Sequence, residues 1–127
     1  MNNYIIKVSD HAFNRIKERS GINKKAAQRL AERAYHNGIK HNEVTGSLHK
    51  FISGICKKSK TSGTDIRIYG DKAFLFSIKG KFAEELISKD GEKIITLITI
   101  LQVPNYLIKN VNGAMNKKRD KGVYFNG

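Results

Sequence analysis

The chain has 127 residues, with 24 Lys and Arg against 11 Asp and Glu, a net charge of +13. That length fits one domain with a single sizeable core, and 39% hydrophobic residues in clear periodic patterns exclude a disordered chain. So large a cationic excess works against compaction unless a polyanion is the partner. Nucleic acid is therefore expected, ahead of an anionic membrane or an acidic protein.

No apolar run is long enough to span a membrane; the longest, Ile94 to Val103, is interrupted by threonines. Without a lipidation signal or a basic helix backed by bulky aromatics, no membrane partner is expected. The opening MNNYIIKVSD lacks a secretory layout. The single cysteine, Cys56, forms no internal disulfide and reads as a small core residue in a reducing compartment. Cytoplasm is the expected location.

Tyr4 to Val8 reads as a first strand, with Tyr4, Ile6 and Val8 on one side. Ser9 to Arg19, SDHAFNRIKER, follows as a short helix. Ser9 offers an N-cap hydroxyl and Asp10 suits the positive end of the dipole. Ala12, Phe13 and Ile16 make a narrow apolar stripe. His11, Arg15 and Arg19 recur every four residues and border that stripe instead of opposing it. Side chains there line the rim of a core, where a cleft forms, and an imidazole with two permanent cations suits a phosphodiester. An ordinary amphipathic helix with a basic wet face has the same pattern.

Ser20-Gly21 stops this helix, and Asn23 caps a second one that runs to Asn37 with Gly38 as terminator. Ala26, Ala27, Leu30, Ala31, Ala34 and Tyr35 fill its apolar face, and the alanines allow close approach of another element. Lys25, Arg29 and Arg33 form its basic stripe, either a solvated face or a phosphate track. Residues 39–46 read as a polar connection containing His41. A third helix is expected from Ser47 to Lys58, with Leu48, Phe51, Ile52, Ile55 and Cys56 in helical period and His49 and Lys50 outside it. Lys57, Lys58 and Lys60 then either stabilise a helix C-terminus or touch nucleic acid.

From Thr64 the period changes to two. Ile66 and Ile68 alternate with Arg67 and Tyr69, Gly70-Asp71 turns, and Ala73 to Ile78 returns, which makes a hairpin. Residues 80–93 fit strand or helix. Ile94 to Val103 is apolar on both faces, as a covered central strand is, and Pro104 ends it. Residues 110–127 are polar and basic, with Lys117, Lys118, Arg119 and Lys121. They read as a frayed tail or an arm that settles on nucleic acid. The expected architecture is α+β: N-terminal helices packed on a small, mainly antiparallel sheet, in a single domain over residues 1–109.

There is no phosphate-binding glycine loop, dinucleotide fingerprint or nucleophile elbow. Four histidines and one cysteine show no ligand spacing and the acids form no cluster, so no metal and no other cofactor is expected. A metal-free ribonuclease needs only a base for the ribose 2′-OH, an acid for the leaving 5′ oxygen, and fixed cations for the phosphorane. Arg67 and Tyr69 share one strand face, which would look into the cleft of His11 and Arg15 if the first helix crosses the sheet. Thr99, mid-strand, offers a hydroxyl to a phosphate, although threonine is also simply a good strand former.

With these residues placed, the chain resembles small phage and prophage proteins of the Barnase–EndoU–colicin–RelE (BECR) fold superfamily of metal-independent ribonucleases, often deployed as toxins. The matching stretches are HAFNRIKER, KKAAQRLAERAYHNGI, GSLHKFI, IRIYGDKAFLF and LITILQVP, in order across residues 4–104. The resemblance implies roles for His11, Arg15 and Arg19, with Arg67 and Thr99 from the sheet. The passage from Ile78 to Ile95 is longer than is usual in the superfamily. The implied activity is an endoribonuclease acting in the host cell, with His11 as base, Arg15, Arg19 and Arg67 on the phosphate, Tyr69 or a lysine as acid, and a cognate antitoxin as a further partner. The alternative is a non-catalytic basic protein that occludes a host nucleoprotein, as an anti-CRISPR inhibitor of host defence does. A DNA-binding regulator is a third reading, but Gly21-Ile22-Asn23 is a short link and neither flanking helix offers a base-reading surface.

Overall fold

A computed structural model describes residues 4–59, 64–77 and 93–120. Strand β1 (Tyr4–Val8) leads into helix α1 (Asp10–Ser20) and helix α2 (Lys24–Asn37). The two-residue strand β2 (Ile39–Lys40) and a 3-10 turn (His41–Glu43) precede helix α3 (Gly46–Ser59). Strands β3 (Thr64–Tyr69), β4 (Lys72–Ser77) and β5 (Lys93–Gln102) follow, and a short 3-10 turn leads into helix α4 (Ile108–Asp120). The caps are those the residues announce. Ser9 accepts the Ala12 N–H at 3.0 Å, and Asn23 Oδ1 accepts that of Ala26 at 2.9 Å. Gly21, at φ +66°, closes α1 in a left-handed conformation that other residues adopt only with strain.

The sheet order is β1-β5-β4-β3-β2. All neighbours are antiparallel except β1 and β5, which pair in parallel from Tyr4↔Lys93 to Val8↔Leu97. Helices cover both faces. On one side Ala12 and Ile16 of α1 and Ala27, Ala31 and Ala34 of α2 pack on Ile6, Phe74, Phe76, Leu97 and Ile100. The large Phe74 and Phe76 rings fit here because the alanines let α2 lie close to the sheet. On the other side α3 and α4 bring Leu48, Ile52, Ile55 and Val111 onto Ile39, Ile66, Ile68, Leu75 and Val103. Strand β4 serves both cores, so its sequence shows no polar alternation. The fold is α+β with a mostly antiparallel sheet, as the patterning predicts.

The structure corrects two expectations and leaves a third segment outside the described residues. The polar stretch read as a basic tail is, over residues 108–120, helix α4, with Val111 fully buried. Cys56 is exposed, one position past the buried Ile55, and not a core residue. The region 80–93 that fitted strand or helix lies, up to residue 92, outside the described residues, as do Lys60 and residues 121–127.

Candidate functional site

Where β1 ends, Ser9 ties the start of α1 to β5. Its backbone N–H donates to the Leu97 carbonyl at 3.1 Å, and its hydroxyl donates to the Ile98 carbonyl at 3.1 Å while capping the helix. The first turn of α1 is thereby held against β5. There His11 Nε2 lies 3.2 Å from Thr99 Oγ1. The β5 backbone makes this contact possible through a break in register. Leu75 pairs with Thr99 but Phe76 pairs with Leu97, so Ile98 is an extra residue. Such a bulge re-aims the side chains beyond it. Leu97 joins the α1/α2 core, whereas Thr99 turns to the face that carries Leu75 and α3.

The exposed imidazole and the half-buried hydroxyl therefore meet at the edge of β5 beyond the end of β1. Nε2 is either the acceptor from Thr99 or the donor to it, according to tautomer. When Nε2 carries the proton and donates to Thr99, the lone pair of Nδ1 is left to take a proton from a third group. Arg15, half-buried, and Arg19, exposed, follow one and two turns along α1 on the same side. Lys50 of α3, a cation that the sequence leaves outside the apolar period of its helix, lines the same groove as Thr99.

Arg67 is not part of this arrangement. It is 7% exposed, and it points to the α1/α2 face, opposite to Thr99. Its Nε and Nη2 donate to the two Asp65 carboxylate oxygens at 2.9 and 2.7 Å, and Nη1 donates to the Tyr35 carbonyl at the end of α2. The guanidinium also stacks 4.2 Å from the Tyr35 ring centroid. Burial opposes its charge, but Asp65 outweighs burial and raises its pKa further. Gly38 is what admits this clasp: a Cβ there would stand 2.7 Å from Arg67 Cβ and collide with the Ala34 carbonyl. Arg67 is a structural clasp between α2 and β3. Tyr69 packs at the margin of the α1/α2 core, also away from the Thr99 face.

The basic residues divide likewise. Lys25, Arg29 and Arg33 are exposed along α2, and Lys117 and Arg119 are exposed on α4. Lys118 is 8% exposed; its Nζ donates to the Gly38 carbonyl at 2.7 Å and to Glu43 Oε1 at 3.1 Å. It locks α4 to the end of α2 and does not face a ligand. Lys57 and Lys58 are described only as helical backbone. Away from α1, His41 and His49 stack with centroids 4.1 Å apart, and His41 Nε2 is 2.9 Å from Ser53 Oγ, which pins the 3-10 turn to α3.

Among the described residues, no three His, Cys, Asp or Glu side chains are grouped to hold a metal, and no helix is long and apolar enough to cross a membrane. The bulge and Lys50 escape sequence reasoning. Comparison with family models, with curated proteins and with solved structures finds no match.

Proposed function

We propose that this protein is a metal-independent endoribonuclease of toxin or phage-effector type, acting in the cytoplasm of a host cell. The observation that carries this reading is the contact between His11 Nε2 and Thr99 Oγ1, made by residues 88 positions apart at an exposed edge flanked by cations. Neutral His11 takes the proton of a ribose 2′-OH. The 2′ oxygen then bonds to the adjacent phosphorus and the bond to the 5′ oxygen breaks, leaving a 2′,3′-cyclic phosphate and a 5′ oxygen that takes its proton from water, the hydroxide so formed being neutralised by the proton that His11 holds. Thr99 orients the imidazole and the phosphate, and Arg15, Arg19 and Lys50 stabilise the dianionic phosphorane. The resemblance of HAFNRIKER and LITILQVP to the BECR superfamily supports the same reading. Arg67 and Tyr69 have no part in it.

The test is incubation of purified protein with total RNA in the presence of a chelator. Fragments with 2′,3′-cyclic ends are expected. His11→Ala should abolish them, by at least about a hundredfold, while Thr99→Val slows cleavage without abolishing it. A second reading has its own support: Lys25, Arg29 and Arg33 stand exposed on α2, as a non-catalytic binder of RNA or of a host nucleoprotein requires. Salt-sensitive RNA binding without any fragments is the result that favours it.

A further inference from the structure

The sheet face that carries Thr99 holds a feature that proton transfer does not use. Between α3 and strands β4 and β5 lies an open groove of about 600 Å³, walled by Phe51, Gly54, Ile55, Leu75, Leu101 and Thr99. Its size falls among small-molecule sites. The walls are mostly carbon, and the polar groups are those of Lys50, Thr99 and Gln102. Thr99 touches His11 and Lys50 joins the lining, while the amide of Gln102 is turned to the Asp71 and Val103 carbonyls at 3.0 and 3.1 Å. Gly54 sits inside α3, where glycine weakens a helix, yet a Cβ there would meet nothing within 4 Å. Packing does not require that glycine. Its effect is to leave the groove open.

We infer that this groove receives an unpaired base of the RNA strand, laid against the Phe51 ring, so that the substrate class is single-stranded RNA and not duplex. This rests on the reading of His11 and Thr99 as the cleavage site, because Thr99 belongs to both and sets the base beside the reacting phosphate. Phe51 supplies the π-surface that sequence-tolerant base stacking uses. The net charge of +13 over the whole chain draws a polyanion, and Lys50 meets it at a cleft with carbon walls, which an acidic or purely apolar peptide matches less well. A duplex satisfies neither demand, since its bases are paired and stacked and entry requires one to be splayed out.

The experiment titrates the intact protein into a fluorescently labelled short RNA of mixed sequence, 2′-O-methylated throughout so that it cannot be cut, as single strand and as duplex. The single strand should bind tighter by roughly tenfold. Gly54→Leu, which fills the groove and suits the helix, should remove that preference while thermal stability is kept or raised and duplex affinity is unchanged. Phe51→Leu should weaken single-strand binding by roughly tenfold as well. Equal affinities for the two probes, or a Gly54→Leu protein that binds like the parent, overturn the inference. Cleavage of unmodified RNA separates the two readings. Groove-dependent binding by a protein that never cuts ends the nuclease reading and keeps the groove. Cutting that depends on His11 but is indifferent to Gly54→Leu ends the groove alone.

Discussion

Replacing Arg67 by methionine keeps an unbranched apolar stem and removes the guanidinium, which distinguishes a clasp from a phosphate ligand. The change leaves the Asp65 carboxylate without its two donors and the Tyr35 carbonyl without its side-chain partner. Breaking a buried ion pair from one side costs about 3–5 kcal/mol. The Asp65 side chain is 21% exposed, so water relieves part of that and the lower end, about 3 kcal/mol, applies. Loss of the stack on Tyr35 adds about 0.5–1 kcal/mol. For a domain of this length the fold survives at 25 °C, with the melting temperature lower by about 15 °C. The chain has no tryptophan, so urea unfolding followed by far-UV circular dichroism is the assay, with an unchanged denaturant slope expected. Asp65→Asn combined with Arg67→Met should cost less than the two single changes together. An Arg67→Met protein as stable as the parent but defective in RNA cleavage would refute the clasp and return the guanidinium to the reaction.

Lys117 and Lys118 are neighbours in sequence with opposite fates. Lys117→Ala should weaken RNA binding slightly and leave stability alone, whereas Lys118→Met should cost about 2 kcal/mol by stranding the Gly38 carbonyl. Burial pushes the Glu43 carboxyl up, but the Lys40 N–H and the Lys118 ammonium outweigh it and hold the carboxyl below its ordinary value of 4.5. A depressed folded-state pKa stabilises the fold above that ordinary value and is lost as the pH falls through the lowered one. Urea midpoints measured across the acid range should fall there in the parent and fall less steeply in Lys118→Met. Gly38→Ala should destabilise by about 2–3 kcal/mol, because the added methyl meets the Ala34 carbonyl and Arg67 Cβ at once; a melting temperature equal to the parent's would contradict the close approach.

What the sequence made legible is what local chemistry determines. Ser9 and Asn23 announce their helices because a cap is satisfied three residues away. The β3–β4 hairpin follows from alternation around Gly70-Asp71. His11 and Thr99 were both named as site residues, but only their nearness in space makes them a pair. The alternation of β3 placed Arg67 on the right face without revealing that α2 ends there, since Tyr35 is 32 positions away. Helix α4 was missed because its apolar contacts are few and because Lys118, a residue that reads as solvated, is one of its buried anchors. The β1–β5 pairing is parallel and long-range, so neither strand carries a sign of the other.

That pairing has a consequence for synthesis. Chains emerge from the ribosome N-terminus first, so β1 and α1 are complete long before β5 exists. Until residues 93–99 have emerged, β1 has no neighbour in the sheet and the His11 ring has no Thr99 hydroxyl beside it. A nascent chain halted within β4 carries the cations of α1 and α2 but an unassembled imidazole. Pairing the first strand with the last thus defers the His11–Thr99 contact until every strand of the sheet has emerged.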